Sequence, residues 1–473
     1  MATDIRICVT GLSRSGKTVF ITALVDALHK ARLAPRAFPQ WKAVASGRLR
    51  GASLQPNVSG LQHLDAFPYH QNLRDLTGDT PRWPESTEKT RAITIKVTTA
   101  DQQGVFGKTM NWVMRQPDSE TLAQKTVTIV DYPGEWVLDL PLLEQSFDTW
   151  SSDTLGMAGA EPRRSEAAKF MAVLERIDPL APYDDGRAIE AHAAYIEYLE
   201  ACRAVHKLSM LQPGLFLRPE AVGGHDGLKG REAFRFFPMR RSATSAKAGS
   251  FYRTVAGRFE AYKTDWVQPF FKSIHGSGKA HQVVLFDLLA ALSYGEEAYN
   301  DARRALGRIA DVMRPRPGLL ARWFGAPPRI LYAATKADHV SSFDRDHLRQ
   351  HMSVIIGDLQ AAQSGTDSRQ ATKAMAIAAI ACTRDGPRKE GGVGAVGRVR
   401  NRKTGEICED QVFAYPVPSR PPVPKEWAFL RETGAIGFPF PEFLLDSRET
   451  VGRPDLPHMD LDVAIEFLLG GHV

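Results

Sequence analysis

Gly11-Leu12-Ser13-Arg14-Ser15-Gly16-Lys17-Thr18, directly behind the apolar run 5–10, is the stretch whose reading decides the fold. It fits G-x-x-x-x-G-K-[ST], a loop whose two glycines let successive backbone N–H groups point at one phosphate. A strand over 5–10 and a helix over 17–29 are expected around it, the helix adding its positive N-terminal end. Lys17 would reach the β- and γ-phosphate oxygens as a point charge, and the Thr18 hydroxyl would complete the coordination of Mg2+. Gly11, Ser13, Arg14, Ser15, Gly16, Lys17 and Thr18 are therefore the expected phosphate-binding residues.

A loop of this kind does not separate ATPases, kinases and GTPases; the later segments do. The run 126–130 reads as an apolar strand ending in Asp131, and it continues as Asp131-Tyr132-Pro133-Gly134, a D-x-x-G arrangement. Asp131 would hold Mg2+ through water, and the Gly134 N–H would meet the γ-phosphate, so the segment can sense that phosphate. A rival metal-side acid is Asp287, at the end of the apolar run 283–286, although no glycine follows it three residues on. Farther along, the strand-like run 329–334 leads into Thr335-Lys336-Ala337-Asp338, a [NT]-K-x-D match. A carboxylate at Asp338 accepts from the N1–H and N2–H of guanine, which adenine does not offer, while the Lys336 stem packs along the base. The expected ligand is thus GTP or GDP, and an ATP-dependent kinase is disfavoured. A last strand over 375–381 would bring a backbone N–H of Ala379, Ile380 or Ala381 to the guanine O6, with Ile380 and Ala381 as the expected contacts.

The chain has 473 residues, 43% of them hydrophobic, and a formal net charge of +6. Single cores tend to split beyond about 250 residues, so a main domain with a substantial insert is expected. Cys8, Cys202, Cys382 and Cys408 form no Cys-x-x-Cys pair, which argues against a structural zinc site or a disulfide framework. No charged-then-apolar leader and no run of about 18 apolar residues occurs, so a cytoplasmic protein is expected, with membrane contact at most peripheral, at the inner face. The basic cluster Arg398, Arg400, Arg402 and Lys403, behind the glycine-rich 391–397, reads as a solvated hairpin or loop. No aromatic residues interleave it, which argues against nucleic acid as partner.

Gly11 to Thr18, Asp131-Tyr132-Pro133-Gly134-Glu135-Trp136, Leu138-Asp139-Leu140-Pro141 and Thr335-Lys336-Ala337-Asp338-His339 together resemble the YcjX family, and the likeness runs over nearly the whole chain. These are bacterial P-loop proteins, associated with stress and regarded as GTPases. The resemblance implies an α/β fold of the P-loop GTPase type with a mostly parallel sheet. A W-P-x-x-T pattern of that family, here Trp83-Pro84-Glu85-Ser86-Thr87, nominates Thr87 as the first-switch metal ligand, with Thr90 as the rival.

Small GTPases carry a water-orienting Gln after the D-x-x-G glycine, and here Glu135 stands there. A carboxylate can position water but repels the γ-phosphate unless compensated. Arg14 offers compensation: Gly-Leu-x-Arg-x-Gly-Lys resembles the loop of guanylate-binding proteins, whose loop arginine acts as a finger in cis on dimerisation. Arg14, Gly134 and Glu135 are the expected catalytic groups, and a homodimer through the nucleotide face is one implied partner arrangement.

Residues 144–281 separate the D-x-x-G segment from the next core strand, so 1–143 with 282–473 are expected as a discontinuous P-loop GTPase core and 144–281 as a helical insertion. Within it, Ile189, Ala193, Ile196, Leu199 and Cys202 would share one helix face, and Phe251, Val255, Phe259, Tyr262 and Trp266 another. A module grafted there would report nucleotide state as an effector element. The mixed basic and apolar stretch 314–324 suits a partner protein or a membrane surface. The leading expectation is a slow Mg2+-dependent GTPase; a scaffold that holds GTP or GDP without appreciable hydrolysis, and binds a partner or the membrane surface, is the alternative.

Overall fold

The computed structural model describes residues 4–12, 14–56, 61, 64–84, 90–100, 122–217, 234–240, 246–275, 279–313, 329–361, 372–388, 391–400, 405–450 and 455–473. Ser13, Thr87 and the stretch 314–324 lie outside them.

Eight strands make the main sheet: β1 (Ile5–Gly11), β2 (Leu49–Gln55), β3 (Asp65–Ala66), β4 (Arg91–Ala100), β5 (Leu122–Asp131), β6 (Lys279–Phe286), β7 (Ile330–Ala334) and β8 (Thr372–Ala376). Their order is β2-β4-β5-β1-β6-β7-β8, with β3 beside β4. From β5 to β8 all neighbours are parallel, while β4 runs antiparallel to both β5 and β2. This is the mostly parallel α/β sheet that the sequence led one to expect.

Because side chains alternate across a strand, the sheet buries two faces. Ile7, Val9, Ile129, Val283, Leu285 and Leu331 point into one core, shared with Phe20 and Leu24 of helix Lys17–Lys30 and Ile465 and Leu468 of helix Leu461–Leu469. Cys8, Val130, Val284, Phe286 and Tyr332 point into the other. That second core continues without a break into the helices between β5 and β6: Phe147–Ala158, Arg163–Glu175, Asp185–Ala204, Phe251–Tyr262 and Gln268–His275. Trp150, Phe170, Tyr195, Phe236, Phe259 and Tyr262 fill it, with Trp150 stacked on Phe259 at 5.0 Å between ring centroids.

Two details depart from the sequence reading. Helix Asp185–Ala204 buries Ala188, Ala191, Tyr195, Tyr198, Leu199 and Cys202, while Ile189 is 46% exposed and Ala193 is exposed. The expected stripe holds at Leu199 and Cys202 but not at Ile189 and Ala193, because Tyr195 and Tyr198 have more surface to remove from water, and ring contacts to Phe170 reward that rotation. The second stripe holds from Phe251 to Tyr262. There a π turn, Lys263–Val267, inserts a residue and moves the buried positions to Val267 and Phe271, leaving Trp266 half-buried.

A smaller antiparallel sheet follows β8, with β10 (Val393–Arg400) central among β9 (Arg384–Pro387), β11 (Ile407–Phe413) and β12 (Phe443–Leu444). Of the basic cluster, Arg398 and Arg400 lie on β10, which pairs antiparallel with β11, and Arg398 pairs with Glu409 at 2.8 Å; Arg402 and Lys403 lie outside the described residues. Among the described residues no helix is long and apolar enough to cross a membrane.

Candidate nucleotide site

Four loops meet where the parallel strands end, behind β1, β5, β7 and β8, the edge at which open α/β sheets bind ligands. Between them lies a cavity of about 400 Å³, lined by residues 14–20, Trp83, Pro84, Glu135, Thr335, Lys336, Asp338, His339, 377–380, Glu442 and Phe443.

At one end the chain turns back on itself, the Ser15 N–H donating to Leu12 O at 3.1 Å. Gly16 then opens helix Lys17–Lys30 from the left-handed region, φ 83°, where a side chain would be strained. The helix has no side-chain cap, so its first-turn N–H groups face the cavity with the positive end of the dipole behind them. Arg14 is also left-handed, φ 63°, and exposed toward the cavity. Backbone of this kind in a non-glycine residue concentrates at functional sites.

Asp131 ends β5, buried, paired in register with Val9 of β1 and Arg91 of β4. Gly134 begins the short helix Gly134–Val137 in direct contact with the phosphate loop: a Cβ there would lie 1.7 Å from Gly11 O. Glu135 is buried and lines the cavity. Gly11, Asp131 and Gly134 stand behind the cavity wall rather than on it. Thr90 is buried just ahead of β4 and does not line the cavity.

The other end is assembled from distant segments. Thr335 N–H donates to Phe286 O at 3.0 Å and Ala337 N–H to Ile377 O at 3.1 Å, which fastens the loop behind β7 to both neighbouring strands. Lys336 is left-handed, φ 62°, and its Nζ sits 2.6 Å from Asp287 Oδ2. Burial works against that ammonium, but the Asp287 charge outweighs it and the pKa is raised. Asp287 also caps helix Leu288–Ser293 through Oδ1 to the Ala290 N–H, 3.0 Å. Both its oxygens are thus engaged within the protein. Asp338 is 1% exposed; its Oδ2 accepts from the Cys382 N–H at 2.8 Å, and its carbonyl accepts from the Thr383 hydroxyl.

The expected strand 375–381 stops at Ala376. Beyond it the Ala378 N–H turns to Met459 O, 3.1 Å, and the Ala381 N–H to Pro457 O, 2.7 Å, so the chain pairs with the segment before the last helix instead of extending β8. Ile380 lines the cavity, whereas Ala381 does not and its donor is spent. Among the described residues Ala379 and Ile380 are the loop positions whose N–H groups have no backbone acceptor. Sequence reasoning did not nominate His339 or the pair Glu442 and Phe443, and gave Trp83 no role of its own. Trp83 Nε1 reaches Phe443 O at 3.4 Å across 360 residues, a contact no local pattern signals.

The description "YcjX-like family, DUF463" matches residues 5–473. The chain belongs to this family. Over 98% of its length it is 32% identical to the "Ras-like GTPase YcjX" of Escherichia coli (strain K12), 95% of which is covered. It is 29% identical, again over 98% of its length, to the protein of the same name from Shewanella oneidensis, 94% of which is covered.

In this YcjX-family chain the D-Y-P-G-E-W motif faces two ways. Glu135 lines the cavity and Gly134 touches the phosphate loop, while Tyr132 and Trp136 pack edge-on against Phe270, 6.2 and 4.7 Å between centroids. Three residues beyond Trp136, Asp139 is buried. It accepts from the Gly214 N–H at 2.8 Å, the Leu215 N–H at 3.2 Å and the Tyr262 hydroxyl at 2.6 Å. Burial pushes its carboxyl up to about 7, against the pull of those three donors. Gln212 adds a side-chain hydrogen bond to Leu138 O. The segment behind D-x-x-G is thus fastened to loop 212–217 and to helix Phe251–Tyr262.

Proposed function

We propose that the protein is a Mg2+-dependent GTPase whose region 144–281 responds to the presence of the γ-phosphate. The observation that supports it best is one cavity with an uncapped helix N-terminus at one end and the rigidly held, buried Asp338 at the other. The first suits phosphates and the second a base that presents two adjacent N–H donors.

In this reading the N–H groups of residues 16–18 and the Lys17 ammonium hold the β- and γ-phosphates. Asp338 reads the guanine N1–H and N2–H, the Lys336 stem lies along the base, and a free N–H of Ala379 or Ile380 meets O6. Ala381 is no longer a contact. Thr18, Asp131 and, from the first switch, Thr87 are all oxygen donors and fit Mg2+, which neutralises charge on the β- and γ-oxygens when bound. Glu135 orients the attacking water. Arg14, free to swing from its exposed position, offsets charge on the phosphates.

Region 144–281 is the effector module of this proposal. A γ-phosphate that draws on the Gly134 N–H pulls a segment whose far end, Asp139, is hydrogen-bonded to loop 212–217 and Tyr262. Nucleotide state would therefore move the helices. The presence of Glu135 where small GTPases carry Gln favours slow turnover, and it keeps the non-hydrolysing scaffold as the second reading.

Binding of GTP, GDP and ATP, followed by phosphate release with and without Mg2+, tests the proposal. GTP and GDP should bind in preference to ATP. Arg14→Ala and Glu135→Gln should alter turnover while leaving GDP affinity within a few-fold. Tight GTP binding with no phosphate released at high protein concentration would replace the enzyme by the scaffold.

A further inference from the structure

Asp338, His339 and Cys382 bring three chemically different donors together in the buried wall at the base end, with ligand atoms all within 4.8 Å of one another. Cys382 Sγ is 3.3 Å from Asp338 Oδ2 and 3.6 Å from His339 Nε2. Zinc bound at about 2.3 Å to sulfur and about 2.0 Å to nitrogen and oxygen, in tetrahedral geometry, would hold such atoms roughly 3.3–3.7 Å apart. The two sulfur distances are already those of a shared ligand sphere, and the Asp338 oxygen and His339 nitrogen lie within 4.8 Å of one another. Thiolate, imidazole and carboxylate are also the set that selects zinc over the hard cation expected at the phosphate end.

Access and the remaining coordination position come from the same place. Asp338 and His339 line the cavity, so an ion can enter from it and keep a water on that side. Fold, not sequence spacing, assembles the cluster. Residues 338 and 339 follow β7, whereas Cys382 follows β8, and the Cys382 N–H to Asp338 bond holds the two loops in register. The absence of a Cys-x-x-Cys pair therefore does not argue against it.

We propose that Asp338, His339 and Cys382 form a binding site for zinc or a similarly soft divalent cation, and that this ion and a guanine base exclude one another. Ligation forms an S–metal bond as the Cys382 thiol gives its proton to solvent; no redox change is involved. The ion takes the Asp338 oxygen, and the negative charge on it, that the guanine N1–H and N2–H would otherwise use. The exclusion rests on the reading of Asp338 as the base acceptor, whereas the metal site does not.

Cobalt(II) titrated into the nucleotide-free full chain tests the site, because a thiolate ligand gives cobalt an absorption band that oxygen and nitrogen ligands do not. The band should saturate at one equivalent, disappear when Zn2+ is added, be absent in Cys382→Ser, and weaken in His339→Ala. Ser keeps a side-chain donor to Asp338, so Cys382→Ser separates ligation from positioning. Guanosine, which has no phosphates to chelate metal, then reports the exclusion: Zn2+ should weaken its binding at least tenfold in the parent chain and leave Cys382→Ser unaffected. No band, or a band that survives Cys382→Ser, overturns the site. A band with guanosine binding unchanged by Zn2+ overturns the exclusion. Guanosine that fails to bind even without metal indicts the base reading of Asp338 instead.

Discussion

The two ends of the cavity are built on opposite plans. The phosphate end comes from one contiguous octapeptide and uses mainly backbone: a left-handed Gly16, an uncapped helix start and one ammonium, Lys17. The base end converges from three separate segments and uses side chains: Lys336 held by Asp287, and Asp338 held by Cys382 and Thr383. A backbone site tolerates change at its neighbours as long as the turn survives. A buried carboxylate depends on every donor around it, since removing one leaves an acceptor short of partners in a dry environment.

The largest effect should come from Lys17→Ala. It should weaken GTP binding by about 10²- to 10³-fold, the loss of a charge-assisted contact to phosphate, and leave guanosine binding unchanged in calorimetry. Equal losses for both ligands would break the separation between the ends. Asp338→Asn acts from the other side: guanosine should lose roughly tenfold to a hundredfold, and xanthosine, which presents an acceptor where guanine has its amino group, should gain correspondingly. Inorganic tripolyphosphate should bind the variant as it binds the parent chain. Thr383→Val is the milder probe, predicted to cost guanosine binding a few-fold by freeing the Asp338 carbonyl from its hydroxyl donor.

The same contrast explains what was legible in the sequence. Gly11 to Thr18 and Asp131 to Gly134 declare themselves because a local turn chemistry needs those residue types at fixed spacing. The strands β1, β5, β6 and β7 were readable as apolar runs, whereas β8 was expected some residues too far along the chain. Nothing local distinguishes Ile380 from Ala381: the Ala381 N–H is taken by Pro457 O, a residue some 75 positions away. Cys382 and Glu442 carried no signal, and His339 stood at the end of a recognised segment without a role of its own, for their neighbours are set by the crossing of β7, β8 and the small sheet. The helix face around Ile189 was misread for a related reason: periodicity reports that a stripe exists, while the aromatic rings decide its phase.

The phosphate end also leans on one buried acid, and its titration offers the finest test of the contrast. Asp139 has an ordinary value of 3.8 and a folded value of about 7, so between those two pH values the folded chain binds a proton that the unfolded chain has released. Stability contributed by this group is full below about pH 4, falls as pH rises, and is lost above about pH 7; a shift of some three units corresponds to roughly 4 kcal/mol at most. Asp139→Asn cannot ionise, yet its amide oxygen can still accept from the Gly214 N–H. Urea unfolding from pH 4.5 to 8 should therefore show the parent chain losing stability relative to Asp139→Asn across that window, and the two curves running parallel above it. Curves parallel throughout would mean that the carboxyl is ionised at all these pH values. The three donors from loop 212–217 and Tyr262 would then outweigh burial, and the link from Gly134 to the helices would be a charged one, stronger than hydrogen bonds to a neutral carboxyl.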